Sequence, residues 1–224
     1  SNLKFEDVGV FGSILHDFYN VEYSDLDFII YGAKQVEELR EVLNTLYKDP
    51  SSGFRNEYGG EKPPDSRYRR FKHLTVKEYM WHQKRKLIYS IYDKAWRPIK
   101  IEFEPVKRWE EIKNEYPSLR RIEKIGMIEA IVEITDDSQS YFMPSIYKID
   151  LVEITKTPVQ VSVDRIVSYV EEFRMQLRKG ERGYVKGWLE KIINTKGETK
   201  YQITLTYGPK YFDQILKIIK RSCF

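Results

Sequence analysis

The sequence predicts an α+β protein of two domains, in which alternating strands and helices are followed by a small closed β-barrel and a C-terminal helix. The chain has 224 residues, a length that suits two domains of roughly 100 to 120 residues each. The first half combines short apolar runs with helical periodicity, whereas long β-rich runs dominate after about residue 120. We therefore predict domains over residues 1–120 and 121–224.

Eight segments of the first half are expected to form strands or helices. Residues 8–11 form a short apolar run that predicts a strand, and Gly12-Ser13 ends it as a tight turn before a brief helix over residues 14–18. Residues 25–31 predict a second strand, and residues 34–47 have the apolar spacing of an amphipathic helix. Residues 48–70 form a long polar connection, which in a compact domain is typical of a functional or mobile loop. The remaining elements expected here are a helix over 74–86, strands over 87–92 and 98–105, and a short helix over 109–116.

The second half reads as a series of strands. Residues 122–135 and 141–155 are β-rich runs, and residues 183–193 and 199–207 predict a hairpin. Residues 166–177 fit either a helix or a strand. Four or five strands in about 85 residues, with glycines placed for bends, favour a small closed barrel. The amphipathic spacing of residues 211–219 predicts a final helix.

The composition limits the chemistry of any active site. The single cysteine, Cys223, cannot pair within the chain, and three histidines without an HExxH spacing make a zinc site unexpected. Metal chemistry would therefore use carboxylates, which prefer hard ions such as Mg²⁺ or Mn²⁺. No apolar stretch reaches the roughly 18 to 20 residues of a membrane span, and no signal peptide is visible. We expect a cytoplasmic protein that does not bind a membrane; the net charge of +4 permits a polyanionic ligand without requiring one.

Two aspartates in the second predicted strand are the strongest candidates for catalysis. Asp25 and Asp27 lie two residues apart, so in a strand their carboxylates share a face. Two such carboxylates repel each other unless a cation lies between them. Gly12 and Ser13 form a turn that suits a phosphate group, and Glu102 offers a third carboxylate from the strand over residues 98–105.

These residues resemble the signature of the polymerase-β-type nucleotidyltransferase superfamily: a Gly-Ser turn, about ten residues, and two acidic residues flanking a hydrophobic one. The segments that carry the resemblance are Phe11-Gly12-Ser13, Ser24-Asp25-Leu26-Asp27-Phe28-Ile29-Ile30 and Ile101-Glu102-Phe103-Glu104-Pro105. The resemblance covers residues 5–110 and implies a mixed sheet flanked by helices, the nucleotidyltransferase fold. It also implies two Mg²⁺ ions held by Asp25, Asp27 and Glu102, or by Glu104 in place of Glu102. The implied reaction transfers a nucleoside monophosphate from an NTP, ATP included, and releases pyrophosphate.

A basic segment follows the long connection. Residues 67–86 contain eight lysines and arginines against one acid, Glu78, interleaved with aromatic residues. Such a segment suits a triphosphate or a nucleic-acid backbone, and equally a solvated helix face. We predict that Lys84 and Arg85 bind phosphate. His82 is either a general base or phosphate ligand, or simply a surface residue.

A strand in the second half resembles one from an oligonucleotide/oligosaccharide-binding (OB) barrel. Over residues 184–190, Tyr184, Lys186 and Trp188 share one face, and Val185 and Leu189 the other. Such OB-like barrels bind single-stranded nucleic acid, or serve as structural or protein-docking modules. The leading hypothesis is a nucleotidyltransferase whose acceptor hydroxyl lies on RNA, protein or a small molecule. The alternative is a non-catalytic nucleic-acid-binding protein that uses the transferase fold as a scaffold and the barrel as its binding module.

Overall fold

The computed structural model describes residues 2–208 and 211–219. The chain forms two compact units, Ser1–Tyr68 with Thr75–Ile112, and Arg69–Leu74 with Lys113–Phe224. Cys223, for which no partner is expected from the sequence, lies outside the described residues.

The first unit is built on a five-stranded mixed sheet with the order β1-β2-β5-β4-β3. Strands β2 and β5 are parallel, and the other neighbouring pairs are antiparallel. The strands are β1 (Val8–Val10), β2 (Leu26–Tyr31), β3 (Phe54–Asn56), β4 (Tyr89–Tyr92) and β5 (Ile99–Val106). Strand β3 falls within the predicted polar connection. The sequence does not predict it, because three residues are too few to show an alternating pattern.

Three α-helices accompany this sheet: α1 (Gly12–Leu15), α2 (Ala33–Leu46) and α3 (Val76–Lys84). Helix α2 buries Val36, Leu39 and Leu43, the periodicity expected for a helix with one face on a core. Helix α3 begins with the expected capping box, in which the Glu78 N–H donates to Thr75 Oγ1 at 3.2 Å and Glu78 Oε2 accepts from the Thr75 N–H at 2.8 Å. The 3₁₀ turns of the described residues are Phe5–Asp7, Glu57–Gly59, Arg67–Arg70, Trp109–Glu111, Tyr116–Ser118, Glu171–Phe173 and Tyr211–Asp213.

The second unit is a six-stranded mixed sheet with the order β10-β8-β7-β6-β9-β11, in which β10 also pairs with β9. Its strands are β6 (Leu119–Gln139), β7 (Ser145–Lys156), β8 (Arg165–Ser168), β9 (Arg182–Asn194), β10 (Thr199–Leu205) and β11 (Ile215–Ile218). Alternate residues of β6, namely Ile128, Ala130, Val132 and Ile134, are almost completely buried. They form one side of the core of this unit, as a strand with one covered face requires.

The predicted fold class is wrong. Strands hold more of the described residues than helices do, above all in the second unit, and among the described residues only α2 and α3 are helices of more than four residues. The second unit is a six-stranded sheet rather than a small OB-like barrel with a C-terminal helix. The segment predicted as that helix instead contains a 3₁₀ turn and strand β11, which pairs with β9 and buries Ile215 and Leu216. Pairing with β9 satisfies the backbone of β11 and outweighs an apolar spacing that also suits a helix.

We expect Gly187→Ala to destabilise the second unit by about 1–3 kcal/mol, the usual range for overpacking a core. A Cβ at this position of β9 would lie 2.8 Å from Ile203 Cγ2 and from Leu205 Cδ2, and 3.0 Å from the Thr204 carbonyl oxygen. Urea denaturation checks the prediction, with Gly208→Ala as the control because its nearest neighbour would be 3.6 Å away. Equal unfolding midpoints for the two variants would contradict it.

Candidate functional site

The register of the parallel pair β2–β5 brings two candidate carboxylates together. Asp27 is the direct neighbour of Glu102, whereas Glu104 is paired with Ile29. Asp25 comes just before β2 and, two residues from Asp27, lies on the same face. Of the two glutamates considered for the third carboxylate, Glu102 is therefore the one beside the aspartates.

The electrostatics of these carboxylates reflect their proximity. Burial raises the pKa of Asp27, and the negative charges of Glu102 and Asp25 raise it further. Burial also raises the pKa of Asp25, where Lys100 acts in the opposite direction and Glu102 adds to the increase. The folded chain thus holds like charges close together, an arrangement found at functional sites more often than elsewhere.

Glu57 is a fourth acidic residue at this site, and sequence reasoning missed it. It follows β3 directly, only 8% of its surface is exposed, and its Oε2 has no hydrogen-bond partner. Burial raises its pKa, although Lys100 works against the increase. A lone glutamate in a polar segment looks like a solvated residue, so no sequence signal marked it. We call Asp25, Asp27, Glu57 and Glu102 the carboxylate cluster.

Lys100 is the positive charge within the carboxylate cluster. Its Nζ lies 2.5 Å from Glu102 Oε1, 3.5 Å from Glu57 Oε1 and 3.8 Å from Asp25 Oδ2. Burial alone would lower the pKa of Lys100, but the hydrogen bond and charge of Glu102, with the charges of Glu57 and Asp25, raise it above its ordinary value. The alternation of β5 places Lys100 on the same face as Glu102, but the number of carboxylates around it was not foreseen.

The Gly12-Ser13 turn lies against Asp27. The Phe11 N–H donates to the Asp27 carbonyl oxygen at 3.1 Å, which fixes the turn to β2. Gly12 has φ +68°, and a Cβ there would collide with the carboxylate of Asp27. The position therefore requires glycine both for its backbone conformation and for the space beside the carboxylate. Ser13 is half-buried in the following turn, helix α1, which is only four residues long.

The contacts described for Lys84 and Arg85 lie around α3 rather than at the carboxylate cluster. The Lys84 carbonyl oxygen accepts a hydrogen bond from Asn56 Nδ2 at 2.9 Å, and the Arg85 guanidinium stacks over Trp81 at 4.4 Å. Their role in phosphate binding stays a prediction. His82, by contrast, is buried rather than on the surface. The basic segment is not one solvated stripe either, since Lys86 is fully buried.

Three aromatic side chains between the Gly-Ser turn and β2 are exposed. Phe18, Tyr19 and Tyr23 are 70%, 49% and 74% exposed, and we call them the aromatic lip. Arg97 anchors this segment, because its guanidinium donates to the carbonyl oxygens of Val21 at 3.1 Å and Ser24 at 2.6 Å. The high aromatic content of residues 18–23 was a signal in the sequence that could have identified this surface.

On the exposed face of β9 the polar side chains bind each other. Lys124 lies over the Trp188 ring at 4.5 Å, and Lys186 pairs with Glu129 at 3.2 Å. Glu190 accepts hydrogen bonds from Gln202 and Thr204. The predicted alternation of β9 is confirmed, since Val185 and Leu189 are fully buried on its other face. A ligand that stacks on Trp188 would first have to displace Lys124.

The carboxylate cluster suits a divalent metal ion by its chemistry. Carboxylate oxygens are the preferred ligands of Mg²⁺ and Mn²⁺, and the buried Glu57 Oε2 lacks a partner. Among the described residues, however, no three Asp, Glu, His or Cys side chains are grouped so that they hold an ion as they stand. Asp25, Glu57 and Glu102 lie within 4 Å of Lys100 Nζ instead, so metal binding requires Lys100 to move away from them.

Comparisons with known proteins leave the function open. The chain is 25% identical over 221 residues to the uncharacterized protein MJ1086 of Methanocaldococcus jannaschii; the match covers 96% of this chain and 60% of that protein. The chain thus spans less than two thirds of the relative's length. No family model and no solved structure matches it. Within residues 2–208 and 211–219, no helix has the length and apolar character needed to cross a membrane.

Proposed function

We propose that the first unit catalyses metal-dependent nucleotidyl transfer, moving a nucleoside monophosphate from an NTP to an acceptor hydroxyl. The observation that carries the proposal is the register of β2 and β5, which sets Asp27 beside Glu102 with Asp25 on the same face. The half-buried carboxylates and the Gly12-Ser13 turn against them support it. The proposal depends on this local arrangement and not on the predicted fold class, which is wrong.

In the proposed reaction the acceptor oxygen forms a bond to the α-phosphorus, while the bond between the α-phosphorus and the oxygen that bridges it to the β-phosphorus breaks. Pyrophosphate leaves with that electron pair, and the acceptor proton passes to a base. Mg²⁺ or Mn²⁺, when bound, would supply the positive charge that stabilises the triphosphate in the transition state. Asp25, Asp27 and Glu102 are the proposed ligands, and Glu102 also helps to activate the acceptor hydroxyl.

The proposed phosphate and acceptor contacts come from three segments of the first unit: the Gly-Ser turn, the end of α3 and the aromatic lip. Gly12 lets the turn approach the Asp27 carboxylate closely, and Ser13 offers a hydroxyl to a phosphate there. Lys84 and Arg85 are further proposed phosphate ligands. The aromatic lip offers exposed rings for stacking on a nucleobase or on an aromatic acceptor. The acceptor class is RNA, protein or a small molecule.

Titration calorimetry with each of the four NTPs and Mg²⁺ tests the proposal. We expect the wild-type protein to bind at least one Mg²⁺–NTP and the variant Asp25→Ala/Asp27→Ala to bind it at least about 100-fold more weakly, because the ligands of the ions are lost. The control is Glu22→Ala/Glu61→Ala, which removes the same charge from two exposed positions. Absence of binding by folded wild-type protein would contradict the proposal. Metal-independent binding of RNA in its place would favour the non-catalytic alternative.

A further inference from the structure

We infer that Glu57 is a fourth carboxylate of the cation site, and that Lys100 occupies this site with its ammonium group until a divalent ion displaces it. This inference rests on the proposed function, because it concerns the same site. It adds a ligand that the sequence did not indicate and names the group that competes with the metal.

The charges of the carboxylate cluster are unbalanced. Lys100 is one positive charge among four carboxylates, and its Nζ is within 4 Å of three of them. Arg97 acts on Asp25 only from a distance, because its guanidinium donates to the carbonyl oxygens of Val21 and Ser24. Arg67 acts on Glu57 only from a distance, because its guanidinium binds the carboxylate of Asp65. With all four carboxylates ionised, the cluster and Lys100 together carry a net charge of about −3. A divalent ion would neutralise more of this charge than one ammonium does.

One carboxylate oxygen of Glu57 is buried without a hydrogen-bond partner. The Glu57 side chain is only 5% exposed; its Oε1 faces Lys100 and its Oε2 has no hydrogen-bond partner. A buried carboxylate oxygen without a partner has lost its hydrogen bonds to water and gained none in return, so native structures rarely contain one without a reason. A bound cation is a reason that fits, because an ion coordinates carboxylate oxygens directly.

The backbone holds Glu57 in place. The preceding residue, Asn56, is buried and caps the 3₁₀ turn by accepting a hydrogen bond from the Tyr58 N–H at 2.9 Å. Its Nδ2 donates to the Lys84 carbonyl oxygen, also at 2.9 Å. These two bonds fix the chain on both sides of Glu57, so the burial of its carboxylate is a built feature rather than one rotamer of a mobile loop.

Lys100 is suited to leave. Its side chain is 24% exposed, and a flexible four-carbon stem lets the ammonium group move into water once a divalent ion replaces it among the carboxylates. A bound ion needs ligand oxygens at about 2.0–2.6 Å, a distance that only the departure of the ammonium permits. Lys100 thus holds the carboxylates together when no metal is bound. It also weakens metal binding, because the ion has to displace the ammonium group.

Binding of Mn²⁺ alone, measured by the loss of the free-ion electron paramagnetic resonance signal, tests both parts. We expect Lys100→Met to bind Mn²⁺ at least 10-fold more tightly than the wild-type protein, because the competing charge is absent. Glu57→Gln is expected to bind at least 10-fold more weakly. The control is Lys62→Met, which removes one positive charge from an exposed position and is expected to change the affinity less than threefold.

A third variant keeps the test decisive if Lys100→Met does not fold. Lys100→Arg retains the charge and strengthens pairing with carboxylates, so we expect it to bind Mn²⁺ several-fold more weakly than the wild-type protein. Unchanged Mn²⁺ affinity in both Lys100 variants would overturn the role of Lys100, and unchanged affinity in Glu57→Gln would overturn that of Glu57.

The Mn²⁺ measurement uses no nucleotide, so it separates this inference from the proposed function. Tighter Mn²⁺ binding by Lys100→Met in a protein that binds no NTP would support the inference and contradict the function. NTP binding by a protein whose Mn²⁺ affinity is unchanged by substitution of Lys100 and of Glu57 would support the proposed function and contradict this inference.

Discussion

Asp27→Asn is expected to reduce nucleotidyl transfer by about 10³-fold or more, since it removes one proposed ligand of the metal ions and leaves the shape of the site unchanged. The backbone bond between the Phe11 N–H and the Asp27 carbonyl oxygen is retained. The measurement is Mg²⁺-dependent release of pyrophosphate from each NTP, with an RNA oligonucleotide carrying a free 3′-hydroxyl as the probe acceptor. Activity in the variant equal to that of the wild-type protein would contradict the assignment of Asp27.

The same substitution is expected to stabilise the fold slightly. The pKa of Asp27 is raised from its ordinary value of 3.8, so its ionised form costs stability in the folded chain. This loss of folding stability is absent below pH 3.8, where the carboxyl is protonated in both states, and fully present above the raised pKa. Asparagine removes it because it carries no charge. Because Asp27 is only partly buried, water screens the repulsion and the gain at neutral pH is about 0.5 kcal/mol. Loss of activity with unchanged or higher stability would separate a functional role from a structural one.

The matched control for Asp27→Asn is Glu22→Gln, an exposed acid in the segment before β2. It removes one negative charge from an exposed position without touching the carboxylate cluster. We expect it to retain activity within about twofold, because water and salt screen the charge of an exposed carboxylate and leave it little effect on the site.

Tyr147→Phe is expected to lower the free energy of unfolding by about 2–4 kcal/mol. The fully buried Tyr147 hydroxyl donates to the Phe173 carbonyl oxygen at 2.7 Å and accepts from the Gln176 N–H at 2.8 Å. Phenylalanine would keep the ring but leave two buried backbone groups without this partner. The hydroxyl thus connects β7 to the segment after β8 and satisfies irregular backbone that no strand ladder reaches.

Chemical denaturation followed by fluorescence checks this prediction, with Tyr116→Phe as the control because Tyr116 is 79% exposed. The control is expected to change stability by less than about 0.5 kcal/mol. Equal unfolding midpoints for Tyr147→Phe and the wild-type protein would show that water replaces the hydroxyl.

Local periodicity accounts for the elements that the sequence identified. Helix α2 and the alternation of β5, β6 and β9 follow from repeats of 3.6 and 2 residues, which any local segment reveals. The capping box of α3 is equally local, because Thr75 and Glu78 lie within one turn. For the same reason the sequence placed Asp25 and Asp27 on one face, since two residues along a strand need no tertiary information.

The fold class failed where strand pairing between distant segments decides the structure. Residues 215–218 have an apolar spacing compatible with a helix, and only the free edge of β9 makes them a strand. The number of strands in the second unit and the 21-residue length of β6 likewise depend on pairing with partners far away in the sequence. Pattern alone therefore suggested a smaller barrel than the sheet that forms.

The sequence by itself determined which carboxylates belong together on one strand, Asp25 and Asp27, and that a Gly-Ser turn precedes them. Only the tertiary structure decided that Glu102 rather than Glu104 lies beside Asp27, because this follows from the register of two strands about 75 residues apart in sequence. It also brought Glu57 and Lys100 into the same site. A charged side chain carries no local mark of whether it faces water or another charge, since that depends on which segments pack around it.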